Sequence, residues 1–260
     1  MAPALNVLLA EDNPVNQEVA IGLLETLDCA VTVVENGEEA VDAATGGGFD
    51  LVLMDCQMPI MDGLDATRAI RKASSAGAER LPIVALTAEV LNDVKSACLD
   101  AGMDDLLGKP FSRQEMEAML LRWRSDPDFA KPAEPEIAAA PQASSIDLAP
   151  IETLRALDPE NERGLVGRAI AKFVDYSDEL MVRFADVVSR ADVAEVSRIA
   201  HSLKSSSANL GASAVSRQCA EIEKLTACGQ LPDDMTTRLH DLQAAVRTAR
   251  QDLLALAGSE

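Results

Sequence analysis

DLVLMDCQMPIMDG, residues 50–63, decides the fold. Its first half is a nearly unbroken apolar run that stops at Asp55. Its second half is a turn carrying Pro59 and Gly63. An unbroken apolar run, rather than an alternating one, suits a strand covered on both faces, as in a parallel sheet. The same pattern recurs on either side, in NVLLA (6–10), VTVVE (31–35), PIVALTA (82–88) and DLLGK (105–109). Helical periodicity fills the gaps, over 15–27, 37–44, 63–74, 90–101 and 112–124. Five strand–helix repeats predict a doubly wound α/β domain with a five-stranded parallel sheet over residues 1–125.

The pattern ends at DPDFAKPAEPEIAAAPQASSIDLAP (126–150), which holds five of the twelve prolines and has almost no apolar periodicity. Such a composition suits a semi-stiff linker, assigned to 126–145. At 5–6 Å × √n, about 25 residues reach roughly 28 Å root-mean-square. Beyond it no strand-like run occurs. In the helix containing residues 193–210 the apolar stripe is Val193, Val196, Ala200, Leu203, Ser207 and Leu210. Turn signals fall near 158–159, 190–192, 211 and 229–232. Residues 146–260 are therefore expected to form an all-α antiparallel bundle of four or five helices.

Composition narrows the function. The chain is 48% hydrophobic and 25% charged, with a net charge of −20. So acidic a protein repels phosphate backbones and anionic lipid, which argues against nucleic acid as a partner. No apolar run approaches the roughly 18 residues needed to span a bilayer, and the N-terminus lacks a basic signal region, so no membrane insertion is expected. Five cysteines without a CxxC pair read as reduced thiols in a cytoplasmic protein. Two histidines leave no room for a multi-histidine metal site.

In a parallel α/β sheet, ligands bind beyond the carboxyl ends of the strands. The first strand closes on Glu11 and Asp12, the third on Asp55, the fourth on Thr87 and the fifth on Lys109. Three carboxylates, a hydroxyl and an ammonium should therefore converge on one edge. Clustered carboxylates are tolerated around a hard divalent cation such as Mg²⁺. A carboxylate beside that ion can act as a nucleophile toward phosphorus, with Lys109 and Thr87 contacting the phosphoryl oxygens. Gly46-Gly47-Gly48 lacks a following Lys-Ser/Thr and reads as a turn, not a phosphate cradle. Cys56 should point away from Asp55, into the core.

With LLAEDNPVNQ (8–17), LVLMDCQMPIMDG (51–63), VALTA (84–88) and GMDDLLGKPF (102–111), residues 5–125 resemble the receiver domain of two-component response regulators. The resemblance implies a flavodoxin-like fold. It also implies a phosphoacceptor at Asp55 and an acidic pair at Glu11 and Asp12. Further, it implies a backbone-carbonyl metal ligand at Gln57, a switch hydroxyl at Thr87, a charge-pairing lysine at Lys109 and a cis bond before Pro110. Receivers often carry an aromatic residue three positions before the lysine. Leu106 stands there, which suits a receiver used for phosphoryl transfer more than for switching an output domain.

The second half offers AHSLKSSSANLGA (200–212). His201 lies about 130° from the centre of the apolar stripe, so its imidazole should face solvent, with Ser205 and Ala208 beside it and Lys204 one turn along. A neutral imidazole can attack a phosphoryl group, and a nearby ammonium stabilises the product. This segment resembles the histidine-containing phosphotransfer (Hpt) domain. The resemblance implies a phosphohistidine at His201 and an assisting lysine at Lys204; Gly211 and QCAEIE (218–223) also fit. The family often has glycine where this chain has Ser205. His240 lacks this context and reads as a surface residue.

Together the two resemblances imply Mg²⁺-dependent phosphoryl transfer between Asp55 and His201. The partners would be an upstream histidine kinase and a downstream response regulator. No ATP-binding region, sensor segment or DNA-reading helix-turn-helix is recognisable, so the first donor is expected to be another protein or an N-terminal part of a hybrid histidine kinase. Two other readings stay open: a Mg²⁺-dependent aspartyl phosphohydrolase, which Gln57 argues against because such enzymes need an acid there, and a non-catalytic module that sequesters partners.

Overall fold

The computed structural model describes residues 5–73, 80–88, 92–125, 146–159, 161 and 163–258. The linker assigned to 126–145 lies outside them, as do the expected end of the third helix at 74 and the start of the fourth at 90–91. The described residues form an α/β unit and an all-helical unit.

In the α/β unit, strands β1 (Leu5–Ala10), β2 (Cys29–Val34), β3 (Leu51–Asp55), β4 (Ile83–Thr87) and β5 (Asp105–Gly108) alternate with helices. These are α1 (Pro14–Glu25), α2 (Gly37–Gly46), α3 (Gly63–Ala73), α4 (Asn92–Ala101) and α5 (Arg113–Ser125). All strand pairs are parallel, in the order β2-β1-β3-β4-β5. The sheet is covered on both faces. Val7, Leu9, Leu51, Leu53, Val84 and Leu86 join one buried cluster with Met116, Met119 and Leu120 of α5. Leu8, Ala10, Val52, Met54, Ile83 and Ala85 join the other, with Ala66 and Ile70 of α3. This is why β1, β3 and β4 read as continuous apolar runs. Each fully buried leucine or isoleucine contributes about 1.5–3 kcal/mol. The edge strand β2 starts at Cys29, two residues before its apolar run, because Leu5 pairs with Cys29 at the head of β1.

Local chemistry fixes the helix starts. Asn36 accepts a hydrogen bond from the Glu39 N–H (3.0 Å) at the head of α2. Ser112 and Glu115 form a capping box at the head of α5. The Glu115 N–H donates to Ser112 Oγ (3.2 Å), and the Ser112 N–H donates to Glu115 Oε2 (2.7 Å).

The helical unit comprises α6 (Leu148–Leu157), α7 (Leu165–Ser189), α8 (Val193–Asn209), α9 (Ser213–Thr226) and α10 (Met235–Ala257). Helices α7 to α10 pack as a bundle, α8 on both α7 and α9, and α10 on both α7 and α9, with α6 against α7 and α8. Phe173 and Phe184 of α7 are fully buried, with Ile199 and Leu203 of α8, Cys219 and Ile222 of α9, and Leu242 and Val246 of α10. Ile146, just before α6, is buried as well.

Two helices end in Schellman motifs. After α8, Gly211 has φ +70, the Ala212 N–H donates to the Ser207 carbonyl (2.8 Å) and the Gly211 N–H to the Ala208 carbonyl (3.1 Å). A Cβ at Gly211 would lie 1.8 Å from the Asp147 carbonyl oxygen, so both its φ and its surroundings require glycine. After α7 the same motif is closed by Ala191 at φ +53. Among the described residues, no helix is long and apolar enough to cross a membrane.

Candidate functional site

In the α/β unit, β1 and β3 are neighbours whose following helices lie on opposite sides of the sheet. Ligands of such folds gather at this switch point. Glu11 and Asp12 follow β1, Asp55 ends β3, Thr87 ends β4 and Lys109 follows β5. Glu11, Asp55 and Thr87 are buried and Asp12 is half-buried. One carboxylate oxygen from each of Glu11, Asp12 and Asp55 lies within 4.8 Å of the others. Lys109 Nζ reaches into the group, 2.8 Å from Asp55 Oδ2 and 2.5 Å from Glu11 Oε2. The Lys109–Pro110 bond is cis, and the Lys109 N–H donates to the Thr87 carbonyl (2.7 Å).

The turn after Asp55 is held closely. The Gln57 N–H donates to Asp55 Oδ1 (3.3 Å), and the Gly63 N–H to the Cys56 carbonyl (3.2 Å). A Cβ at Gly63 would meet the Asp55 carbonyl oxygen at 2.0 Å, so only glycine lets α3 start so near the strand end. The Gln57 side chain is exposed.

Lys109 pairs with two of the three carboxylates, Glu11 and Asp55. Burial, followed by the charge of Asp55, pushes the Glu11 carboxyl up to about 8, although Lys109 opposes the shift. Burial would lower the Lys109 ammonium, but the charges of Asp55 and Glu11 outweigh it and hold the group above its ordinary value. An all-oxygen, largely buried donor set of three carboxylates suits a hard divalent cation such as Mg²⁺. The donor chemistry of Glu11, Asp12 and Asp55 therefore fits that ion.

In the helical unit, His201 of α8 meets Glu223 of α9. Nδ1 lies 2.7 Å from Glu223 Oε1, and Lys204 Nζ pairs with Glu223 Oε2. Burial alone would raise the Glu223 carboxyl. Hydrogen bonds from His201 and Lys204, with their charges, outweigh it and hold the group below the ordinary carboxylate range. An ionised carboxylate only accepts, so Nδ1 carries the hydrogen, and in the neutral ring Nε2 carries the lone pair. Glu223 is the partner that the sequence did not single out. Its signal was its place next to the buried Cys219–Ile222 stripe of α9, where a carboxylate can lean over α8.

The open shelf expected around His201 is taken up in part by Glu223 of α9, which pairs with both His201 and Lys204. Small serines on α8 bond to the main chain: the Ser206 hydroxyl donates to the Ser202 carbonyl (2.9 Å). The covered face of α8 thereby takes in Ser206 beside Ile199. His240 is exposed.

Comparison with known proteins divides along the same line. The family model for the response regulator receiver domain matches residues 7–121, and the model for the Hpt domain matches residues 168–256. The sensor protein GacS of Pseudomonas syringae pv. syringae is 46% identical over 121 residues, covering 46% of this chain and 13% of that protein. The aerobic respiration control sensor protein ArcB of Escherichia coli is 45% identical over 127 residues, covering 48% of this chain and 16% of that protein. The sensor histidine kinase AruS of Pseudomonas aeruginosa is 32% identical over 247 residues, covering 92% of this chain and 23% of that protein. The chain thus spans under a quarter of the length of each of these three relatives.

Proposed function

Because residues 7–121 belong to the response regulator receiver family and residues 168–256 to the Hpt family, a phosphorelay signalling arrangement, we propose that the chain passes one phosphoryl group between Asp55 and His201. From His201 the group moves on to an aspartate of a separate response regulator. The upstream donor is a histidine kinase. Alignment with AruS over 247 residues supports reading the chain as the receiver–Hpt region of a hybrid histidine kinase. Domain limits of 1–125 and 146–260, with 126–145 between them, go with this reading.

In the transfer step, His201 Nε2 attacks phosphorus as the P–O bond to Asp55 breaks. The N–P bond forms and Asp55 returns to a carboxylate. The ring gains positive charge while Nδ1 keeps its hydrogen, and Glu223 lies 2.7 Å away to offset that charge. Lys109 and the Thr87 hydroxyl serve the phosphoryl oxygens at Asp55, and Lys204 serves them at His201. Glu11, Asp12 and Asp55, with the Gln57 backbone carbonyl, would hold Mg²⁺. That ion would neutralise the carboxylates and the phosphoryl oxygens.

The observation that carries this reading is the presence on one chain of a buried acidic cluster crossed by Lys109 and an imidazole whose Nδ1 is fixed by Glu223. Incubation with acetyl phosphate and Mg²⁺, read by intact mass, tests it. One phosphoryl increment is expected, lost in Asp55→Asn and on chelation of the metal. Equal labelling of Asp55→Asn would overturn the assignment.

A further inference from the structure

The phosphoryl chemistry leaves unused the two thiols next to it. Cys56 follows Asp55, and Cys98 lies on α4. Their sulfurs are 3.6 Å apart, so they touch with no atom between them. Both are reduced, Cys98 is buried and Cys56 is partly exposed. Cys29 donates to the Leu27 carbonyl and Cys228 to the Leu225 carbonyl.

We propose that Cys56 and Cys98 form a reversible disulfide under a peroxide-class oxidant, and that this cross-link slows phosphoryl acceptance at Asp55. One sulfur takes an oxygen from hydrogen peroxide, whose O–O bond breaks, giving a sulfenic acid and one water. The second thiol then displaces that oxygen as a second water, and the S–S bond forms. Two thiols are oxidised and one peroxide is reduced to two waters.

Bond formation brings the sulfurs from 3.6 Å to about 2.05 Å. The Cys56 main chain has little freedom to absorb that movement. Its N–H donates to the Leu86 carbonyl (3.2 Å) and its carbonyl accepts from the Gly63 N–H (3.2 Å). It is also bonded directly to Asp55 and Gln57. The displacement therefore reaches the peptide that aims the phosphoacceptor and ties it to α4.

The effect on rate rests on the reading of Asp55 as the acceptor; the cross-link does not. The full chain, carrying Cys228→Ser to prevent joining between molecules, is treated with hydrogen peroxide and mapped by peptide mass. The expected result is loss of two hydrogens in a Cys56–Cys98 linked peptide, reversed by dithiothreitol and absent from Cys98→Ser and Cys98→Ala. The oxidised chain should take phosphoryl from acetyl phosphate several-fold more slowly, with the reduced rate restored by dithiothreitol. Sulfinic acid at Cys56 in place of the linked peptide, a link to another cysteine, or a linked form with unchanged or faster acceptance would overturn the proposal. If the reduced chain accepts no phosphoryl, the function reading fails while the cross-link is still decided by mass.

Discussion

Glu223 meets His201 Nδ1 with one carboxylate oxygen and Lys204 with the other. In the proposed transfer this leaves Nε2 as the attacking atom. A hydrogen bond to a charged group is worth about 1.5–3 kcal/mol, so Glu223→Ala should slow phosphorylation of His201 by about 10–100-fold. Rapid-quench transfer from a phosphorylated receiver measures this, and Glu223→Gln, which can still accept from Nδ1, should recover part of the loss. The same residue makes a prediction about acid. Its carboxyl titrates below its unfolded value, so it adds stability above pH about 4.3 that is lost as pH falls through the folded value. Melting temperature followed on acidification should fall more steeply in the parent protein than in Glu223→Gln.

Glu11 behaves in the opposite sense. Its carboxyl is raised to about 8, so near neutrality the metal-free cluster holds a proton that a divalent cation must expel. Mg²⁺ affinity should therefore rise with pH up to about 8 and then level off. Proton release on binding should be larger at neutral pH than above that value. Calorimetric titration in two buffers of different ionisation enthalpy counts those protons, and Glu11→Gln should bind more weakly with no such pH dependence.

At the scale of elements, legibility followed burial. Strands β1, β3 and β4 could be read from sequence because both sheet faces are covered, which makes every position apolar. The edge strand β2 is covered less completely, so its start was displaced by two residues. The capping box at Ser112 and Glu115 and the glycine after α8 are local signals. The stop of α7 is not, because Ala191 holds a left-handed position that sequence statistics give to glycine. Ala191→Gly should stabilise the helical unit by about 1 kcal/mol, read as a raised melting temperature. The covered face of α8 was underestimated for a related reason. Ser206 counts as polar in a periodicity, yet a small hydroxyl buries readily once bonded to the main chain. Glu223 was hidden because its partners lie on another helix.

At the scale of the whole chain, each of the two candidate sites gathers its residues from elements of one unit. Strand ends bring Glu11, Asp12, Asp55, Thr87 and Lys109 together, and helix α9 supplies the partner of His201. Fragments 1–125 and 146–260, produced separately, should therefore each unfold cooperatively, as followed by circular dichroism. Failure of either alone would contradict the proposed domain limits. Leu106 is half-buried, packed against the cluster that includes Ala66 and Ile70 of α3.

The most direct measurement is a single turnover in the intact chain. Asp55 is loaded from acetyl phosphate, the donor is removed, and phosphopeptides are quantified over time with Mg²⁺ present. The account predicts that acid-labile phosphate appears on His201 at the rate at which the base-labile phosphate on Asp55 disappears. Decay of the Asp55 label into free phosphate, with His201 never labelled, would contradict it.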